Sequence, residues 1–158
     1  MTESGVTDNL KIRTKMNIII KKVTAADDIQ TCLEIRKKVF IEGRQVSEIR
    51  EREGDEESEH YLLLLNNIPT GAARIRYLEN KAKIERVAIL DEARGLGLGK
   101  KLMEFLIEEI SQGGKAKIAA LGAQVHAISF YEKLGFKICS EEYLDAGIAH
   151  KDMSRSFN

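Results

Sequence analysis

The chain has 158 residues, 43% of them hydrophobic, and its 25 Lys+Arg are matched by 25 Asp+Glu. That length fits one domain, which can bury roughly two-thirds of its unfolded surface, and the apolar share excludes wholesale disorder. Zero formal net charge argues against a dedicated nucleic-acid binder, and a single Pro with no Trp excludes a Pro-rich linker.

Residues 1–15 (MTESGVTDNLKIRTK) are polar and aperiodic and are expected to form a flexible arm ahead of a single domain at 16–158. Asn17–Val23 reads as a strand, with Ile18, Ile19 and Ile20 in a β-branched run. Thr24 and Asp27 are cap-like, and a helix follows to about Ile41. Its apolar stripe is Ile29, Cys32, Leu33 and Phe40, with Arg36 in the same register. Gly43–Glu59 is highly charged and reads as a solvated helix and loop, with a mobile flap beside the substrate as the functional alternative. His60–Asn66, Thr70–Leu78 and Lys81–Leu90 read as three strands of an antiparallel meander, with turns at Asn66–Pro69 and Glu79-Asn80.

Helical periodicity returns after Gly97. Leu98, Leu102, Phe105, Leu106 and Ile110 make one stripe, Lys100, Lys101, Glu104 and Glu108 face away, and Gly113-Gly114 ends the helix. Lys115–Leu121 is expected as a strand, Val125–Leu134 as a helix, Gly135–Ser140 as a strand and Ile148–Arg155 as the last strand. The apolar runs, such as Tyr61–Leu65, are far too short to span a membrane. Cys32 and Cys139 stand far apart in apolar contexts and read as buried free thiols, so a soluble protein of the reducing cytoplasm, with no membrane partner, is expected. His60, His126 and His150 fall in different segments and do not amount to a metal site.

The most informative stretch is Arg94-Gly95-Leu96-Gly97-Leu98-Gly99-Lys100-Lys101, between a strand and an amphipathic helix. Glycine lets a ligand approach the backbone closely, and N–H groups converging at a helix N-terminus favour a phosphate or pyrophosphate. A Walker loop is a poor fit, because Arg94 stands where its first Gly should be and Lys101 where its Ser or Thr should be. A dinucleotide or kinase loop fits poorly too, with Lys100 in place of the last Gly of G-x-G-x-x-G and a meander in front of it.

The spacing Arg94-x-x-Gly97-x-Gly99 resembles motif A of the GNAT acyltransferase superfamily. Ile84–Ile89 looks like the strand leading into that loop, and Phe130–Phe136 (FYEKLGF) looks like the family's later motif. The resemblance spans about Ile18 to Met153. Arg36–Glu42, His60, Gly122–Gln124 and Gly147–His150 are similar to a branch of small bacterial members whose substrates are largely undefined.

The resemblance implies an α/β (α+β) fold, a mixed and mostly antiparallel sheet of six to seven strands flanked by about four helices. It implies an acetyl-CoA-dependent N-acetyltransferase acting on a small-molecule or peptide amine by direct attack in a ternary complex. Neither Cys sits in a polar, activating context that would suit an acyl-enzyme. Family members often form homodimers. Carried over by position, Arg94, Gly95, Leu96, Gly97, Leu98, Gly99 and Lys100 would cradle the pyrophosphate, mainly through backbone N–H groups. The main chain of Val87, Ala88 and Ile89 would pair with the pantetheine arm, Gln124 would contact it, and Tyr131 would protonate the departing thiolate.

The base is open at this point. Where some relatives carry a Glu, Ile118–Leu121 has nothing ionisable. Glu85 is the leading candidate: strict alternation puts it on one face with Val87 and Ile89, where apolar surroundings would raise its pKa. An ion pair with Lys83, Arg86 or Lys117 is its other reading, and His126 and His150 are alternative bases. Arg36 and His150 are read as acceptor-side residues, Arg36 either as a carboxylate or phosphate clamp or as a charge whose stem packs at the core edge. A non-catalytic acyl-CoA-binding sensor or interaction module is the rival to an enzyme.

Overall fold

The β-branched run opens a sheet: β1 (Ile18–Val23) pairs antiparallel with β2 (Ser58–Leu65), which continues into β3 (Ile68–Leu78) and β4 (Lys81–Ile89). This is the expected meander. Its first turn is Asn66-Asn67, both at positive φ (51° and 67°), as a two-residue type I′ connection requires. The structure, a computed structural model, describes residues 16–42 and 47–157; the expected arm at 1–15 lies outside them, as do residues 43–46 of the charged segment.

Between β1 and β2 run α1 (Ala26–Arg36), a π-helical turn (Lys37–Glu42) and the short α2 (Glu48–Arg52). The N-cap of α1 is Ala25, which makes no side-chain capping bond, so the cap expected from Thr24 and Asp27 does not form. After β4 come α3 (Leu98–Gly113), β5 (Ile118–Gln124), α4 (Ile128–Glu132), β6 (Lys137–Ile138), β7 (Tyr143–Asp145) and β8 (Ile148–Ser156). Several late elements are shorter than the sequence suggests. The expected strand at Gly135–Ser140 keeps two residues, and the expected helix at Val125–Leu134 splits into a 3-10 turn (Val125–Ala127) and α4. The sequence reading missed β7, a short arm of a hairpin turned by Ala146-Gly147 at φ 51° and 77°.

The sheet order is β1-β2-β3-β4-β5-β8-β6, with β7 beside β8. The result is a mixed α+β fold with a mostly antiparallel sheet. No helix among the described residues is long and apolar enough to cross a membrane. One face of the sheet buries Leu63, Ile75, Ile84, Leu121 and Met153 against Leu102, Leu106 and Ile110 of α3. The other face buries Val23, Leu62, Ala72 and Ala88 against Cys32 and Ile35 of α1.

Two irregularities in the sheet position the site. β4 and β5 are parallel, and they pair over three residues, Lys81–Lys83 with Ile118–Ala120, before diverging. In addition, Ala72 pairs with Ala88 while Arg74 pairs with Glu85, so Arg86 and Val87 together oppose Ala73. This is a β-bulge, with Arg86 at φ 55°. Upstream of it Ala82 and Ile84 face α3; downstream, Val87 and Ile89 do so, an odd step that alternation cannot produce.

Candidate active site

The divergence of β4 from β5 opens a cleft of about 960 Å³. Its walls come from the glycine loop and the start of α3, the ends of β4 and β5, α4, the β7–β8 hairpin and the π-helical turn. Beyond Lys83, β4 has no strand partner on the β5 side, so the main chain at Val87–Ile89 presents a free edge there. The side chains of Val87 and Ile89 line the cleft, while Ala88 is buried on the α1 side.

The glycine loop forms one end. Gly95 and Gly97 sit at φ 83° and 76°, the second as the N-cap of α3. None of the N–H groups from residue 95 to residue 100 has a hydrogen-bond partner among the described residues. A Cβ added at Gly95, Gly97 or Gly99 would meet no atom within 4 Å, so packing does not explain the missing side chains. The first turn of α3 carries no acid, and its dipole adds partial positive charge. Such a loop can hold a phosphate or pyrophosphate through its backbone. Arg94, Gly95, Gly97, Leu98, Gly99 and Lys100 line the cleft, with Arg94 also paired to Asp91 at 3.0 Å. Leu96 does not, and its side chain is exposed.

Tyr131, at the end of α4, lines the same cleft and packs edge-on against Phe130 and Phe136, with ring centroids 5.1 and 6.2 Å away. Its phenol is protonated at neutral pH in any case, and burial raises it further above the ordinary value. Gln124 and His150 are opposite one another on β5 and β8, at the point where β5 has left β4. Gln124 Oε1 lies 2.6 Å from His126 Nε2, and both residues line the cleft.

Glu85 does not occupy the environment expected of a base. The bulge turns it to the face opposite Val87 and Ile89, where Arg76 grips its carboxylate bidentately at 3.1 Å, Arg74 donates at 3.2 and 3.3 Å, and Lys83 lies 3.6 Å away. Burial by itself would raise this carboxyl, but the Arg76 hydrogen bonds and the charges of Arg74, Arg76 and Lys83 outweigh it and hold the pKa below the ordinary range. Glu85 still lines the cleft, and its contacts are those of the ion-pair reading, with Arg74 and Arg76 as partners the sequence did not suggest.

Arg36 lies apart from the acceptor side expected of it. It is 1% exposed and does not line the cleft. Its guanidinium donates to the Glu51 carboxylate at 2.7 Å, the Glu51 carbonyl at 2.9 Å and the Asp55 carboxylate at 2.9 and 3.3 Å. Asp55 also accepts from Arg74 at 2.7 Å, and Arg86 donates to the carbonyls of Glu51 and Arg50 at the end of α2. The charged segment is thus not wholly solvated: its Glu51 is buried and ties α2 to α1 and to the bulge. Cys139 is exposed rather than buried, whereas Cys32 is fully buried and its thiol is pushed up to about 11 mainly by burial. Neither lines the cleft.

The sequence also gave no notice of Tyr143. Its ring stacks on His150 (5.9 Å, 21°) and its hydroxyl donates to Asp152 Oδ1 at 2.5 Å. Gly122, opposite Asp152, makes room for it, since a Cβ there would lie 2.7 Å from Tyr143 Oη. A glycine inside the strand was the available signal.

Residues 24–157 match the family described as an acetyltransferase (GNAT) domain. The uncharacterized N-acetyltransferase YjcF of Bacillus subtilis (strain 168) is 35% identical over 133 residues, covering 82% of this chain and 93% of that protein. The crystal structure of an acyl-CoA N-acyltransferase from Pseudomonas aeruginosa superposes with a TM-score of 0.78 at 25% identity, covering 89% of this chain and 99% of the other. A GNAT family acetyltransferase from Elizabethkingia anophelis with acetyl-CoA bound superposes with a TM-score of 0.67 at 19% identity, over 89% of this chain and 99% of that one.

Proposed function

The chain belongs to the GNAT acetyltransferase family, and from that premise we propose that it is an acetyl-CoA-dependent N-acetyltransferase that acylates a primary amine, small-molecule or peptide, by direct attack in a ternary complex. The observation that carries the cofactor reading is the glycine loop, whose N–H groups have no partner among the described residues and which has open space where a Cβ would stand at Gly95, Gly97 and Gly99. Residues 94–100 would hold the pyrophosphate, and the free β4 edge at Val87–Ile89 would hold the pantetheine arm as a strand-like partner, with Gln124 beside it. Acetyl-CoA, when bound, supplies an acyl carbon activated as a thioester and a thiolate leaving group. Tyr131 holds a proton at its hydroxyl in the cleft, available to that sulfur. Direct attack is favoured over an acyl-enzyme because both thiols lie away from the cleft lining. Two free cysteines fit a reducing, cytoplasmic setting.

The test is calorimetric titration with acetyl-CoA, followed by free-thiol release in the presence of a panel of amines: a diamine, an amino sugar, an amino acid and a peptide N-terminus. Saturable binding and amine-dependent release are expected. Binding with no release for any amine would leave a non-catalytic acyl-CoA-binding module, and no binding would overturn the cofactor assignment.

A further inference from the structure

An amine acceptor enters as an ammonium ion of pKa near 10 and must lose a proton before it can attack. Glu85 is held by cations, and other proton acceptors line the cleft. His150 lines the cleft on β8, half-buried. Its Nδ1 lies 2.7 Å from the carbonyl oxygen of Ile148. A carbonyl can only accept, so Nδ1 carries the hydrogen and the lone pair is on Nε2. Nε2 has no hydrogen-bond partner among the described residues. The ring plane is fixed as well, by stacking on Tyr143, whose hydroxyl is anchored to Asp152 over Gly122.

Other groups near His150 are less suited to the task. Gln124, opposite His150, is neutral; His126 donates from Nε2 to its oxygen and keeps a free Nδ1, but its side chain is exposed and, unlike that of His150, is held by no ring stack among the described residues. On β7, Tyr143 is bonded to Asp152, and Asp145 pairs with Arg50 of α2 at 2.6 Å. Across the cleft, Glu85 and Arg86 on β4 are bonded to Arg74 and Arg76 and to the end of α2.

We propose that His150 is the general base, an inference that rests on the N-acetyltransferase reading. Its Nε2 takes one proton from the acceptor ammonium; an N–H bond breaks, the electron pair stays on the amine nitrogen, and the imidazolium later returns the proton to solvent. Tyr143 and Asp152 are positioning residues for this ring.

The first test needs no turnover. Long-range proton–nitrogen spectra of the 15N-labelled full chain, with the His150 signal assigned by its loss in His150→Asn, should show the Nδ1–H tautomer. An Nε2–H tautomer overturns the proposal. The second test uses the pH profile of kcat/KM with acetyl-CoA and the best amine of the panel. His150→Asn keeps a donor near Nδ1 and removes the base, so activity near neutral pH should fall about 10²-fold or more. The deficit should shrink as the pH approaches about 10, where the amine deprotonates by itself. Acetyl-CoA binding by calorimetry reports that the variant is folded, and His150→Gln serves if Asn does not fold. A variant profile parallel to that of the wild type overturns the base assignment alone. A wild type that releases no thiol with any amine overturns the N-acetyltransferase reading, and this proposal with it.

Discussion

Tyr131 and Tyr143 line one cleft in different surroundings, and different roles are proposed for them. The Tyr131 hydroxyl is protonated at neutral pH, and burial makes it a weaker acid still, so proton donation needs a short contact. Tyr131→Phe keeps the ring that packs on Phe130 and Phe136, so the fold should survive. We expect kcat to fall at least about tenfold, within the range general acid catalysis supplies, with acetyl-CoA affinity nearly unchanged. Thioesters with better leaving groups should recover the rate; an equal deficit across such a series rules out the acid role. Tyr143 is a strut, and Gly122 is what admits it. Gly122→Ala puts a Cβ 2.7 Å from Tyr143 Oη and must displace the ring that orients His150. Turnover should drop by up to about 10²-fold, the effect of an ångström-scale misplacement, and amine kinetics should suffer more than acetyl-CoA binding. Full activity in this variant would mean the stack positions nothing.

At the scale of elements, the glycine loop and the bulge make the cleft. Gly99 is helical, has no positive φ and has empty space where a Cβ would go. Alanine there should stabilise α3 by about 0.5–1 kcal/mol, so the fold alone does not call for glycine. Gly99→Ala is therefore expected to raise Tm slightly while weakening acetyl-CoA; improved stability with unaltered affinity would count against phosphate binding at this turn. Gly97→Val should weaken affinity too, but with a loss of stability, because valine is strained at φ 76°. The bulge is held from outside the sheet. Arg86 adopts a φ of 55° and its guanidinium donates to the last carbonyls of α2 at 2.9 and 3.2 Å. A side-chain cap on one element thus offsets backbone strain in another.

Across the whole molecule, a buried ion network joins α1, α2, β3 and β4. Glu51 serves both Arg36 at 2.7 Å and Arg86 at 3.6 Å, and it is 2% exposed. Glu51→Ala leaves two guanidinium groups short of a counter-charge and should destabilise the fold by about 3–5 kcal/mol. For a domain of this size that is roughly 6–20 °C in Tm. Replacing Arg36 and Glu51 together by Met and Leu should be milder; a double variant worse than the single one contradicts this account. The same network predicts the acid limb of stability. Asp55 and Glu85 are held below their ordinary values of 3.8 and 4.5, since hydrogen bonds and charges from Arg36, Arg74 and Arg76 outweigh burial. A lowered carboxyl pKa contributes stability that is complete above the ordinary value and is lost as pH falls through the folded one. Tm should therefore be flat above about pH 5 and decline below it. Glu85→Gln should start lower and decline less steeply.

What the sequence determined by itself was local: the three-strand meander, the amphipathic stripe of α3, and a loop whose alternating glycines point to phosphate. Each follows from periodicity or from a backbone demand made by a few adjacent residues. Tertiary structure decided the rest. Period-2 alternation put Glu85 beside Val87 and Ile89, and one extra residue at Arg86 reversed that, because a bulge depends on register with β3 rather than on β4's own sequence. Arg36 looked like a charge at the core edge, and its partners lie 15 and 19 residues away, beyond any local window. His150, Tyr143, Asp152 and Gly122 meet across three strands. A bond within β8 puts the proton on Nδ1 of His150, and stacking from β7, not the spacing of residues along the chain, holds its ring beside the cleft.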